Sequence, residues 1–216
     1  MHLPVIYEDN HLLVVDKPAG LLAQGDHSGD LTLVDVVAAY LKDKYAKPGN
    51  VYVGLVHRLD RNVSGITILA RTSKAAARLS TQFREGLVHK TYLAVVSGEP
   101  DPPTGELVSW LAAAGDGQGI TQAAGVPFAG AKESLLRYHV VSRGQGFAEV
   151  GIEPVTGRRH QIRAQMALMG CPLVGDVKYG SAWRLPDHRL ALHAAGLKIA
   201  HPVGGRVLNF EAPLPG

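Results

Sequence analysis

Short apolar, β-favouring runs recur along this chain and are cut at close intervals by glycine and proline. That punctuation constrains the fold more than any other feature. Residues 12–15 form a β-branched run that stops at Asp16-Lys17-Pro18-Ala19-Gly20, where Pro and Gly impose a turn. From Val51 onward the odd positions Val51, Val53 and Leu55 are apolar, the alternation of a half-buried strand. A second apolar strand is expected at 66–70, with a turn over 61–65 between the two. Further strands are expected at 90–96, 135–142, 147–152, 190–201 and 206–212. Strands neighbour strands more often than they alternate with helices, which predicts an α+β fold with a mixed, largely antiparallel sheet.

Helical signals are fewer. Leu33, Val34, Val37, Tyr40 and Leu41 recur at helical spacing, and Lys47-Pro48-Gly49-Asn50 follows as a breaker, so a helix is expected over 33–44. Ser73 is placed to cap a second helix, in which Ala76, Leu79, Ser80 and Phe83 share a face and which ends at Gly86. A third is expected over 158–169, closed by Gly170 and Pro172. The Ala- and Gly-rich stretch 112–130 reads as a loose hairpin or a surface loop. With no internal repeat and no long linker, residues 1–216 read as a single domain, large enough for one core or for two closely joined halves.

Composition excludes several classes. The chain is 46% hydrophobic and 19% charged, the balance of a folded protein and not of a disordered polymer. A net charge of +3 is too small to argue for nucleic acid by itself. The N-terminus shows no signal-peptide pattern, and no apolar run is long enough to span a bilayer. Cys171 is the single cysteine, so neither an internal disulfide nor a cysteine zinc site is expected. The ten histidines fall in no metal spacing. The glycines of 115–119 lack the strand and helix of a dinucleotide fingerprint, and neither a Walker-type loop nor a Gly-x-Ser-x-Gly elbow is present. These readings point to a soluble cytoplasmic chain in a reducing compartment.

Three segments carry chemistry. In His57-Arg58-Leu59-Asp60-Arg61, a strand puts Arg58 and Asp60 on one side. That Asp is either half of a strand-end ion pair, worth little at a surface, or a carboxylate kept ionised to act as nucleophile or base. The second segment, Thr156-Gly157-Arg158-Arg159-His160-Gln161-Ile162-Arg163, puts three arginines and a histidine at a helix start. Cations there oppose the helix dipole, and a bound phosphate or carboxylate resolves the conflict. Arg163 is expected at the edge of a buried stripe formed by Ile162, Met166 and Met169, where it needs a carboxylate partner. Arg158 and Arg159 also fit a solvated basic face. The third, Lys90-Thr91-Tyr92, offers a tyrosine that is either sheet-face packing or a ring that stacks on a base.

Together these segments resemble the RluA-type pseudouridine synthases over nearly the whole chain. The resemblance runs from Val5-Ile6-Tyr7-Glu8-Asp9 and Asp16-Lys17-Pro18-Ala19-Gly20 through the three segments above. It continues in Gly175-Asp176-Val177-Lys178-Tyr179-Gly180, Arg189-Leu190-Ala191-Leu192-His193-Ala194 and His201-Pro202. It implies two halves with a central catalytic cleft flanked by helices, and isomerisation of uridine in RNA to pseudouridine without a cofactor. It implies Asp60 as the catalytic aspartate, Tyr92 as the active-site tyrosine and Arg163 as the arginine paired with that aspartate. Leu192 falls at or near the apolar position that flanks the base.

Lys17, Arg58, Arg158, Arg159 and His160 are the candidate RNA contacts. The target base must leave its stack to react, so base flipping is expected. Val63 stands where the family commonly has Thr, and Gln165 where it often has His. The pattern begins by Val5, with no room ahead of it for the small RNA-binding domain many relatives carry. The expected partner is therefore a stem-loop in tRNA or rRNA, bound by a monomer. The rival readings are a non-catalytic RNA-binding protein and a carboxylate- or metal-dependent phosphodiesterase acting on RNA. The first predicts loss of Asp60, Tyr92 or Arg163; the second needs a cluster of metal-binding side chains.

Overall fold

The computed structural model describes residues 3–25, 29–115 and 119–214. The chain forms two compact units, Met1–His89 with Ala194–Gly216, and Lys90–His193. It is an α+β fold with few helices and a largely antiparallel sheet, as the strand-rich pattern predicts.

In the first unit, strands β1 (Val5–Glu8), β2 (Leu12–Lys17) and β4 (Ser64–Ala70) lie side by side and antiparallel. The two-residue strand β3 (Gly54–Leu55) also pairs with β4. β10 (Leu192–Ala200) follows β4 in the strand order and pairs antiparallel with β11 (Val207–Glu211). The unbroken apolar run in β2 has a simple cause: both faces of the strand are covered. Leu12 and Val14 join Ile66, Ile68, Ala75, Leu79 and Phe210 in one core cluster. Leu13 and Val15 join Leu33, Val37, Leu41 and Leu69 in the other. The helices that close these faces are α1 (Leu33–Lys44) and α2 (Ser73–Arg84). α1 starts in a capping box between Thr32 and Asp35. The cap of α2 is Thr72, one residue ahead of the expected Ser73, and its hydroxyl accepts from Ala75 N–H.

One expected strand is much shorter than its alternation suggests. Val51, Val53 and Leu55 do pack on the α1-side core, but only Gly54–Leu55 pairs with β4. Beyond Leu55 the chain leaves the ladder, so Arg58 and Asp60 sit on a loop and not on a strand.

The second unit is an antiparallel sheet in the order β5 (His89–Ser97), β9 (Phe147–Pro154), β8 (Lys132–Gly144), β6 (Thr104–Ala113) and β7 (Thr121–Ala124). The stretch 112–130 contains the β6–β7 hairpin; its residues 116–118 lie outside the described residues. α3 (Gln161–Leu168) begins three residues later than its sequence pattern suggests. The reason is His160, which adopts a left-handed conformation (φ 52°, ψ 21°) and so cannot continue a helix. Arg158 and Arg159 therefore lie in the turn before α3, while Arg163 lies within its first turn.

Candidate active site

The loop that carries Asp60 is fastened at both ends. His57 Nε2 accepts a hydrogen bond from Ile68 N–H at 2.9 Å, taking the place of a strand carbonyl beside β4. Its ring stacks on Phe83 of α2 with centroids 4.6 Å apart. Leu59 and Val63 are buried on either side of Asp60, and Val63 N–H closes a turn onto Asp60 O at 3.1 Å. Asp60 itself is half-buried, whereas Arg58 is exposed.

Lys17 corrects the sequence reading. It was expected on the RNA-facing surface, but it is fully buried and cannot reach a phosphate there. Its ammonium donates to three carbonyls: Pro18 O at 2.9 Å, Leu21 O at 2.9 Å and Arg61 O at 3.2 Å. A buried lysine needs such partners, and here they bind the Pro18–Leu21 turn to the Asp60 loop. Gly20 and Arg61 reinforce the junction, with Gly20 N–H on Arg61 O at 2.8 Å and Arg61 Nε on Gly20 O at 3.0 Å. Gly20 has φ +89°, a conformation that favours glycine. Burial lowers the Lys17 pKa to about 8, against the opposing pull of the Asp60 and Asp16 carboxylates. Lys17 is thus a buried positive charge that feels the Asp60 carboxylate, in the same unit.

The other candidate residues belong to the second unit. Tyr92 lies on β5 in register with Ile152 and is half-buried, on the strand face it shares with Lys90, Ala94 and Val96. Arg163 is buried, and the carboxylate partner its position requires is supplied by Asp176. The pair is bidentate, Nε to Oδ2 at 2.7 Å and Nη2 to Oδ1 at 2.8 Å. Tyr179 lies against the same guanidinium, with Arg163 Cζ 4.8 Å from the ring centroid. The Tyr179 hydroxyl accepts from Thr121 N–H at 2.7 Å and meets His160 Nδ1 at 2.9 Å. Burial raises the Tyr179 pKa, so the hydroxyl stays protonated at neutral pH.

His160 is half-buried, with its ring edge-on to Tyr179. Asp176 and Tyr179 were read only as parts of a motif. In that motif Asp176 stands directly ahead of the tight turn Val177–Tyr179 and Tyr179 ends it, which presents both to α3.

The segment before α3 is equally determined. Gln161 Oε1 accepts from Thr156 Oγ1 at 2.8 Å and Arg158 N–H at 3.0 Å, while Gln161 Nε2 donates to Leu135 O at 3.0 Å. Gln165 Nε2 bridges β6 and β8 through Leu107 O and Ser134 O, a structural use of the position where the family often has His. Arg158 and Arg159 are exposed, and Arg159 Nη2 donates to Gly119 O at 3.0 Å. Leu192 is buried at the start of β10.

These elements define a class. Residues 11–168, which carry the Asp60 loop, Tyr92 and Arg163, match the sequence pattern of the family described as RNA pseudouridylate synthase. The fold superposes on the structure titled Human RNA Pseudouridylate Synthase Domain Containing 4 with a TM-score of 0.81 and 25% identity, covering 98% of this chain and 88% of that one. Human RNA Pseudouridylate Synthase Domain Containing 1 gives 0.78 at 26% identity, covering 99% and 84%.

Among curated relatives, the ribosomal large subunit pseudouridine synthase C of Rickettsia felis is 36% identical over 214 residues, covering 98% of this chain and 67% of the relative. The ribosomal large subunit pseudouridine synthase D of Pseudomonas aeruginosa is 32% identical over 237 residues, covering 100% and 69%. The chain belongs to the RNA pseudouridylate synthase family, whose members isomerise uridine in RNA to pseudouridine. No helix among the described residues is long and apolar enough to cross a membrane.

Proposed function

We propose that this chain isomerises a uridine of large-subunit ribosomal RNA, using Asp60 as its catalytic carboxylate. The reading rests on one observation above all. A half-buried carboxylate is presented on a loop that a fully buried lysine, a stacked histidine and a tight turn all hold in place. Fixing a loop this firmly serves positioning of the group it carries. The RNA assignment follows the names of the bacterial relatives.

The reaction breaks the N1–C1′ glycosidic bond, turns the uracil, joins C5 to C1′ and releases the C5 proton. Asp60 acts on the flipped nucleotide either by attack on C1′ or by removal of the C2′ proton. Arg163, oriented by Asp176 and Tyr179, supplies the fixed positive charge of the reaction. Tyr92 packs against the uracil and assists loss of the C5 proton. Arg58, Arg158 and Arg159 bind the backbone. Residues 1–216 act as one catalytic domain, cytoplasmic and monomeric, without cofactor.

The test is pseudouridine mapping after incubation with large-subunit rRNA and, separately, tRNA, with EDTA present. One rRNA uridine is converted and tRNA is not. Conversion of tRNA alone would overturn the substrate, and loss of activity in EDTA would overturn the cofactor-free chemistry.

A further inference from the structure

Lys90 stands two residues before Tyr92 on β5, so both side chains leave the same face of the strand. It is half-buried. Among the described residues, no hydrogen bond or ion pair engages its ammonium. The contrast with Lys17 is direct: that lysine is more deeply buried, yet three carbonyls accept from it. Burial lowers the Lys90 pKa, and no neighbouring carboxylate restores it. A partly desolvated cation without a partner destabilises a fold, and such a group is retained where a ligand supplies the counter-charge.

The surroundings suit an anion. The ammonium points at Gly157, where an added Cβ would stand 3.6 Å from Nζ. Gly157 is not among the residues with positive φ, so its backbone conformation does not require glycine. What the missing side chain provides is open space beside the ammonium. The exposed Arg158 comes next in the chain.

We propose that Lys90, the open backbone at Gly157 and Arg158 form a binding site for one phosphodiester of the RNA, next to the nucleotide held by Tyr92. This rests on the RNA-modifying reading above and adds the group that anchors the backbone there. A single ammonium–phosphate contact carries no base information, so it fixes register and not sequence. The neighbouring Gly157 lets the backbone approach closely enough for that contact.

The test measures binding of a fluorescein-labelled, uridine-containing RNA hairpin over a series of KCl concentrations, with turnover read separately. Lys90→Met is expected to weaken binding about tenfold at low salt. It is also expected to reduce the slope of log Kd against log salt by about one phosphate contact. Lys90→Arg keeps the slope, and Gly157→Ala weakens binding by placing a methyl group against the ammonium.

Thermal stability separates this from a structural role. Removing an unpaired, partly buried charge leaves Tm unchanged or raises it, whereas a structural lysine would lower it. Wild-type affinity and slope in Lys90→Met, or a lowered Tm, would overturn the proposal. RNA binding by the wild type without any pseudouridine formed counts against the enzymatic reading, and the salt slopes then still decide the phosphate site.

Discussion

Asp176→Asn is the substitution that most sharply probes how the second unit holds its arginine. The ion pair it breaks is bidentate, and its side chains are only 10% and 1% exposed. Little water reaches either partner, so surface screening does not diminish the effect. Asn keeps one acceptor for the fork but turns an NH2 group toward the guanidinium, leaving a buried cation with half its counter-charge geometry gone. Breaking such a pair from one side costs about 3–5 kcal/mol. For a chain of this size each kcal/mol lowers Tm by roughly 2–4 °C, which places the expected drop at about 6–20 °C.

Circular dichroism melts of wild type and Asp176→Asn measure this directly, and pseudouridine formation is assayed below both transitions. Activity falls as well, because Arg163 loses the carboxylate that orients it. The double replacement Arg163→Met with Asp176→Leu regains most of the Tm without regaining activity, since an apolar pair of similar volume avoids the buried charges. A Tm for Asp176→Asn within a degree or two of wild type would refute the claim that this pair is the buried keystone of α3.

Other consequences are more local. Asp9 is held to a pKa of about 2: burial alone raises it, but the amides of His11 and Leu12 and hydrogen bonds from Tyr7 and His201 outweigh that. Its folded pKa lies below the ordinary 3.8. The carboxylate therefore contributes about 2 kcal/mol above pH 4, and this is lost as pH falls from 4 toward 2. Urea titrations should show the stability gap between wild type and Asp9→Asn shrinking over that window; a constant gap would contradict it. Lys17→Met leaves three carbonyls without a donor, so it should lower stability by several kcal/mol and abolish turnover, read by melting and by pseudouridine yield. Gly65 has φ +118°, and a Cβ there would lie 2.4 Å from Ala194 O. Gly65→Ala should therefore fail to yield soluble, folded protein, as judged by gel filtration.

Local signals were legible in the sequence because local physics sets them. α1 is bounded by a capping box at its start, and β2 by Pro18 and Gly20 at its end. The need of Arg163 for a carboxylate was legible from its place beside a buried stripe. Asp176 as a partner was not, because it comes from a turn thirteen residues on. The Asp60 loop was misread as strand since Val51, Val53 and Leu55 do alternate toward a core. What holds the chain beyond that strand is remote: Lys17, forty-four residues before the Arg61 carbonyl that accepts from it, and a histidine side chain that occupies the ladder. Lys17 looked like a surface cation for the same reason, since its three acceptors converge only in the folded chain. β1 and β6 passed unnoticed, and the start of α3 was displaced by the left-handed His160, which no propensity announces.

The central claim is that Asp60 performs chemistry on a uridine. Joining C5 to C1′ expels the hydrogen from C5, so RNA transcribed with uridine tritiated at C5 reports each turnover as tritium released to water. Wild-type protein should release it, and Asp60→Asn should release none while binding the same RNA with similar affinity. Tritium release by Asp60→Asn at the wild-type rate would contradict the account.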